Sequence, residues 1–95
     1  MTYTLEQTIA FVNHTVASME RSFEWSKNIE DYTDGRKCRW ALKCIDKEEE
    51  RCFGALLYVN CYLHGIEDKD YEDLNDRLHR EADEIRERVQ NYYNC

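Results

Sequence analysis

The chain has no proline and only three glycines in 95 residues. These two residues interrupt regular backbone structure most often, so their scarcity leaves little to break long helices. Gly35 and Gly65 divide the sequence into three arms of similar length. Each arm carries apolar residues at intervals of three and four, which is the spacing of one helix face. The sequence therefore predicts an all-α fold of three long helices, forming a single domain over residues 1–95.

Long apolar runs are missing as well. No apolar stretch approaches the roughly 20 residues that a membrane-spanning helix needs. The first six residues, MTYTLE, contain no basic residue, so we expect no secretory signal and a cytoplasmic location. The net charge of −7 argues against wholesale binding to nucleic acid or to anionic membranes.

Cysteine is abundant but follows no recognisable pattern. The five residues are Cys38, Cys44, Cys52, Cys61 and Cys95. Their odd number, the absence of a CxxC pair and the lack of histidines at matching spacing argue against a disulfide framework and a structural zinc site. We expect reduced thiols that pack like small apolar side chains, with Cys95 as the most reactive.

The first two arms predict an antiparallel helical hairpin, with helices over about 4–33 and 36–64. Thr4 and Gln7 form a capping-box pattern at the start of the first helix. Gly65 is expected to end the second helix.

The apolar stripes of these two arms match each other. They consist of Leu5, Ile9, Val12, Val16, Met19 and Phe23 in the first arm, and of Cys38, Leu42, Ile45, Cys52, Leu56, Val59 and Leu63 in the second. When the chain is folded back about residue 34, the stripes face each other, with Val16 opposite Cys52. This arrangement pairs the positions that antiparallel helices pack together.

A charged stretch, residues 46–51, lies in the middle of the second arm and places Glu49 in a core position. Asp46 and Glu49 could cap a new helix and so split the arm in two. The apolar stripe keeps its phase across the stretch, which an irregular loop would not do. We therefore predict one continuous helix, with the Glu49 carboxylate reaching either solvent or an arginine.

The third arm predicts a helix over about 68–93, which completes a three-helix bundle. Its apolar stripe is Tyr71, Leu74, Leu78, Ala82, Ile85, Val89 and Tyr92. Its opposite charges stand four residues apart, so ion pairs are expected on the exposed face. The expected pairs are Asp73–Arg77, Asp76–Arg80 and Glu84–Arg88.

Residues 53–63 of the second arm are apolar on nearly every side, which is typical of a helix buried on several sides. The first and third helices can cover two of those sides. Any apolar surface left over would suit a second subunit, so a homodimer is compatible with the sequence.

The end of the hairpin near residue 34 is basic and aromatic. We call this set the basic corner; its members are Lys27, Arg36, Lys37, Arg39, Lys43, Trp25 and Trp40. A helix start beside cations and aromatic faces could hold a nucleotide or another phosphate-bearing anion. The alternative is that the cations neutralise nearby acids and favour solubility. No glycine-rich phosphate loop accompanies them, which favours this alternative.

The third arm is strongly acidic. We define its acidic face by Asp70, Asp73, Asp76 and Glu84. Carboxylates spaced along a rigid helix can imitate a nucleic-acid backbone or dock onto a basic protein surface. The alternative is a solvated face whose acids pair with the interspersed arginines.

Several aromatic residues lie off the hairpin seam, namely Phe11, Trp25, Tyr32 and Trp40. Aromatic side chains are enriched in protein interfaces, so these residues are candidates for partner contacts. The alternative is that they pack beneath the third helix.

No catalytic, metal or cofactor site is expected. The three histidines, His14, His64 and His79, have no carboxylate or cysteine at a convincing spacing. Glu81 and Glu84 resemble half of a helical metal site, but a charged helix produces that spacing routinely.

The sequence favours a non-enzymatic interaction protein that binds a protein partner and modulates it by inhibition. Small acidic helical domains are a common format for inhibitors encoded by viruses and phages. Homo-oligomers are compatible with this interpretation, whereas membrane binding and direct nucleic-acid binding are not expected. The alternative function is a ligand-binding module that holds a nucleotide or another anion at the basic corner.

Overall fold

The computed structural model describes residues 4–95, and all regular elements in this part of the chain are helices. Helix α1 spans Leu5–Ser26, α2 spans Asp34–Leu57 and α3 spans Asp68–Tyr93. A π-helical segment, Tyr58–Tyr62, continues α2. The predicted all-α three-helix bundle is therefore confirmed.

No helix within residues 4–95 is both long enough and apolar enough to cross a membrane. The expectation of no secretory signal depends on the start of the chain, and its first three residues lie outside the described part.

Helix α1 begins as predicted but ends earlier. The Gln7 amide donates to the Thr4 hydroxyl (3.1 Å), and the Thr4 amide donates to the Gln7 side chain (2.9 Å), so the capping box is present. The helix was predicted to reach residue 33 but ends at Ser26. Thr33 is instead the N-cap of α2, because its hydroxyl accepts from the Arg36 amide at 3.3 Å. The residues between Ser26 and Thr33 form the chain reversal from α1 to α2.

Helix α2 is continuous through residues 46–51, which confirms the prediction of a single helix. Its expected stop at Gly65 is wrong. The residue with a left-handed backbone is His64 (φ 52°), and no glycine within the described residues has a positive φ.

The π-helical segment and a buried asparagine explain this early stop. Asn60 is buried, and its side-chain nitrogen donates to the Ile66 carbonyl (3.1 Å) and to an Asp68 carboxylate oxygen (3.0 Å). These bonds fix the reversal between α2 and α3. The Gly65 amide then donates back to the Val59 carbonyl at 2.9 Å.

The antiparallel hairpin is present, but α1 is rotated relative to the predicted seam. Of the predicted stripe, Val12, Met19 and Phe23 are buried, Ile9 and Val16 pack against the core, and Leu5 is exposed. Thr8 and Thr15, which lie beside the stripe, are buried as well. The Thr15 hydroxyl lies beside the Cys52 thiol, one residue from Val16, which was predicted to face Cys52. The rotation follows from the third helix, because α1 must share its apolar face between α2 and α3.

Helix α3 buries the predicted stripe except at its end. Its buried residues are Leu74, Leu78, Ala82, Ile85, Val89 and Tyr93. Tyr92 was predicted for the core but is exposed, while Tyr93 is buried. The Tyr93 hydroxyl forms a 2.6 Å hydrogen bond with the buried Ser26 hydroxyl, which satisfies its polar atom inside the core.

The prediction of five reduced thiols is wrong for two of them, because Cys38 and Cys95 form a disulfide with their Cα atoms 6.7 Å apart. Helix α3 runs antiparallel to α2, so its end meets the start of α2. The partners are 57 residues apart, and no local spacing reveals such a pair. Cys44, Cys52 and Cys61 are free, and burial raises the pKa of the Cys52 thiol.

Candidate functional site

Arg86 anchors the middle of α3 to α2. Its guanidinium donates to Asp46 at 2.9 Å, to Asp83 at 2.7 Å, and also to Glu49. His79, two turns earlier on α3, approaches the other Glu49 oxygen with its Nδ1 atom at 2.7 Å. Three further side chains, Asp46 of α2 and His79 and Asp83 of α3, therefore converge on one arginine and one glutamate.

The Glu49 carboxylate is the centre of this network. Burial by itself would raise its pKa, but the hydrogen bonds from Arg86 and His79 and the charge of Arg86 outweigh that effect. The net result is a pKa below the usual value, so Glu49 is ionised at neutral pH. The hypothesis that Glu49 reaches an arginine is confirmed.

Two further arginines attach α3 to α1. Arg77 donates to the Asn13 side chain and to Glu81, the latter at 3.2 Å. Arg88 reaches across to Glu20 at 2.8 Å. Three arginines of α3 are thus directed to the sides of the helix, where they hold it against its neighbours.

The expected ion pairs of the acidic face do not form. Arg77 and Arg88 contact other residues, and within residues 4–95 Asp73, Asp76 and Glu84 take part in no ion pair. The same three acids are exposed, and Asp70 is half-buried in the first turn of α3. From Asp70 to Glu84 the acidic face extends about 21 Å along the helix.

A cleft of about 480 Å³ lies between α1 and α3 and adjoins the acidic face. Its lining is Val16, Glu20, Glu81, Glu84, Ile85, Glu87, Arg88 and Asn91. Four carboxylates against one arginine extend the negative potential of α3 toward α1.

Two of the five cations at the basic corner, Lys27 and Arg36, are already engaged within the chain. The Lys27 ammonium pairs with Glu24 at 3.0 Å and lies 4.5 Å from the ring centroids of both Phe23 and Tyr92. The Arg36 guanidinium lies 5.1 Å from the Tyr32 ring centroid. The first of these contacts supports the neutralising interpretation for Lys27, whereas Arg36 stacks on an aromatic ring.

The remaining members of the basic corner do not converge on one cavity. Lys37 is half-buried, and Arg39 and Lys43 are exposed along α2. Trp25 is 70% exposed, whereas Trp40 is half-buried and packs against the core. No member of the basic corner lines the cleft between α1 and α3 or the cleft between α1 and α2.

The off-seam aromatics divide into two groups. Phe11, Trp25 and Tyr32 are exposed, so the hypothesis that they pack beneath the third helix is wrong for them. Trp40 does contribute to the core.

An apolar cleft that the sequence did not predict lies between α1 and α2, and we call it the α1/α2 cleft. It has a volume of about 430 Å³ and is lined by Gln7, Thr8, Ala10, Phe11, His14, Ala55, Leu56, Tyr58 and Val59. The all-round apolar character of residues 53–63 was the signal for it. The position of the cleft depends on how α1 is oriented against α2, which the spacing of apolar residues does not specify.

Within residues 4–95, no three His, Cys, Asp or Glu side chains are grouped so that they could hold a metal ion. His79 is engaged by Glu49 and lies near the Phe53 ring, with centroids 5.9 Å apart.

Comparisons of the chain with protein-family models, with curated proteins and with solved structures gave no match. Any functional conclusion therefore depends on three surfaces of the bundle: the acidic face, the basic corner and the α1/α2 cleft.

Proposed function

We propose that this chain is a non-enzymatic interaction protein whose acidic face binds a basic surface of a partner macromolecule and inhibits it. One observation carries the proposal: three of the four arginines of α3, Arg77, Arg86 and Arg88, attach the helix to its neighbours. The outward carboxylates Asp73, Asp76 and Glu84 are left without ion pairs in the described part of the chain.

The attachment also makes the acidic face rigid. Arg86 attaches α3 to α2, while Arg77 and Arg88 add contacts to α1 at the surface. A helix backbone that is already folded and attached loses little conformational freedom when a partner binds, so the ordering cost is confined to the exposed side chains. Their negative field also speeds the approach of a positively charged partner.

A protein with a basic groove fits this surface better than a flat basic patch does. The acidic face extends about 21 Å along a single helix, which is more than half of one turn of duplex DNA, about 34 Å. A groove that accepts one backbone of a nucleic acid could therefore accept α3. Inhibition would then result from occupation of that groove.

The alternative function, a nucleotide or anion site at the basic corner, has weaker support. Lys27 and Arg36 are held by Glu24 and by the rings of Phe23, Tyr92 and Tyr32. A phosphate would have to compete with these contacts.

The proposal is tested by affinity capture from a lysate of the source cells, with identification of the bound proteins by mass spectrometry. The variant Asp73→Asn/Asp76→Asn/Glu84→Gln removes three charges with little change in shape. We expect it to retain less than a tenth of the captured partner, because rim charges govern association with a basic surface. Duplex DNA added as competitor should release a partner that has a nucleic-acid groove.

The matched control is Glu30→Gln/Asp31→Asn/Glu50→Gln, which removes three charges at exposed positions outside α3. It should capture the partner as the unmodified chain does. The proposal fails if both triple variants behave alike. It also fails if Arg36→Glu/Arg39→Glu abolishes capture while the α3 variant does not, because the basic corner would then be the binding site.

The cytoplasmic location and an origin in a virus or phage stay predictions. The Cys38–Cys95 disulfide bears on the location, because cytosolic thiols are normally kept reduced. Mass spectrometry of the chain after alkylation in its native cells would establish the oxidation state of this pair.

A further inference from the structure

The α1/α2 cleft lies beside a group of exposed aromatic rings. Phe11 and Tyr58 line the cleft and are 40% and 52% exposed. Tyr62 is 74% exposed and stacks on Tyr58, with ring centroids 5.1 Å apart and planes 10° from parallel. An apolar depression and an apolar projection therefore stand next to each other on one surface.

Two of these rings, Tyr58 and Tyr62, stand at the two ends of the π-helical segment Tyr58–Tyr62. Val59 and Asn60 of this segment are buried, and Asn60 binds the Ile66 carbonyl and Asp68. Tyr58 and Tyr62 are left on the outside. π-Helical turns are rare and occur often at functional positions.

The exposed apolar area suits a protein interface of ordinary size. With about 200 Å² for a whole aromatic side chain, the exposed parts of the three rings amount to about 330 Å². A stable interface buries about 800 Å² on each partner, of which somewhat more than half is apolar. The three rings supply most of that apolar share, and the cleft residues Ala10 and Ala55 add to it.

This part of the surface is also electrically neutral. Residues 4–14 and 51–62 contain two charged side chains, Glu6 and Arg51, which have opposite signs. The net charge of −7 therefore resides elsewhere in the chain. Two copies that meet here bring few like charges together.

The acidic face does not oppose such a contact. The bundle is 22 by 17 Å across, and α3 occupies a different side from the α1/α2 cleft. Charges farther apart than the Debye length, about 8 Å at physiological ionic strength, are largely screened. Repulsion between the α3 helices of two copies would therefore be small.

We propose that the α1/α2 cleft binds a second copy of this chain, in a symmetric dimer in which Tyr62 of each copy enters the cleft of the other. A two-fold contact uses the same patch on both subunits, so the patch has to be complementary to itself. A cleft lined by Phe11 and Tyr58 beside a projecting Tyr62 meets that requirement. Because this patch has no net charge, the dimer avoids the repulsion expected between two chains that each carry a net charge of −7.

The test is sedimentation equilibrium of the whole chain over a range of micromolar concentrations. The unmodified protein should sediment at twice the monomer mass of 11.5 kDa. Tyr62→Arg places two cations in the symmetric contact and should weaken dimerisation at least 100-fold. Tyr62 is largely exposed, so the variant should fold normally, which circular dichroism checks.

The matched control is Trp25→Arg, an equally exposed aromatic at the other end of α1. It should remain dimeric. The proposal is overturned if the unmodified chain is a monomer at every concentration, or if the two arginine variants lose the dimer to the same extent. Binding of a foreign amphipathic helix to a monomeric chain at this cleft would likewise overturn it.

The dimer and the proposed function can fail separately. The α3 variant Asp73→Asn/Asp76→Asn/Glu84→Gln should sediment as a dimer while it fails to capture the partner. Tyr62→Arg leaves all acidic-face residues in place, so a monomeric variant that still captures the partner supports both proposals.

Discussion

The hairpin and the third helix of this bundle differ sharply in how they use charge. Residues 4–14 and 51–62, which form one half of the hairpin, contain two charged side chains among 23 residues. Helix α3 contains 14 among its 26 residues, nine acidic and five basic. The hairpin half is held by apolar contacts that exclude water, whereas α3 combines an apolar stripe with a set of directed polar contacts.

The difference shows how one small chain can present two kinds of surface. Apolar packing tolerates small rotations of a helix, but hydrogen-bonded ion pairs and a disulfide do not. Helix α3 is fixed by Arg86 in its middle and by Cys95 and Tyr93 at its end. Its carboxylates therefore lie on a defined outward face, while the hairpin leaves an uncharged apolar cleft on another side.

The largest expected effect comes from the covalent attachment of α3. The Cys38–Cys95 disulfide closes a loop of 57 residues, so its loss should lower the free energy of unfolding by about 4 kcal/mol on the chain-entropy estimate. Cys95→Ser, or reduction of the unmodified chain, should show this in urea titrations followed by circular dichroism. Cys61→Ser, at an exposed free thiol, serves as control and should change little. Equal stability of the oxidised and reduced chains would show that packing alone holds α3.

A smaller effect is expected from the Glu49 network. Glu49→Gln leaves Arg86 with a weakened partner in a largely buried position, so the free energy of unfolding should fall by about 1–2 kcal/mol at neutral pH. The lowered pKa of Glu49 stabilises the fold above the unfolded pKa of about 4.3, and this contribution is lost as the pH falls through the folded pKa. The difference between the unmodified chain and the variant should therefore shrink in acid.

Asp83→Asn is the control for this network, because Asp83 contacts the same guanidinium from an exposed position. Exposed ion pairs contribute little, so its loss should cost less than about 0.5 kcal/mol. If both variants have the same effect and the same pH dependence, Glu49 is not the centre of the attachment.

The fold was largely predictable because its signals are local. The intervals between apolar residues, the capping box at Thr4 and Gln7 and the unbroken phase through Glu49 each depend on neighbouring residues, and the structure confirms all three. Helix ends were predicted less well. At the start of α2, the helix-capping preference of Thr33 outweighs the turn preference of Gly35. At its end, the buried Asn60 sets the reversal, and the spacing of apolar residues carries no information about it.

The candidate surfaces were only partly predictable because they depend on contacts between distant residues. The acids of α3 are evident in the sequence, but their lack of partners depends on Arg77 turning to Asn13 and Arg88 turning to Glu20. The α1/α2 cleft exists because α1 rotates to share its apolar face with α3. The disulfide has the same origin, since only the three-helix topology brings Cys38 to Cys95.

The smallest of the three effects concerns the hydroxyl that fixes the end of α3. Tyr93→Phe removes the hydrogen bond to Ser26 but keeps the ring that packs against Phe23. Ser26 retains its 2.6 Å hydrogen bond to the Phe23 carbonyl, so its hydroxyl still has a partner in the core. The free energy of unfolding should therefore fall by about 1 kcal/mol. Tyr92→Phe is the matched control. The Tyr92 ring is exposed, so removal of its hydroxyl should change the free energy of unfolding very little. If the two variants proved equally stable, the end of α3 would be held by ring packing and the disulfide, and the polar contacts that set its orientation would be those of its three arginines.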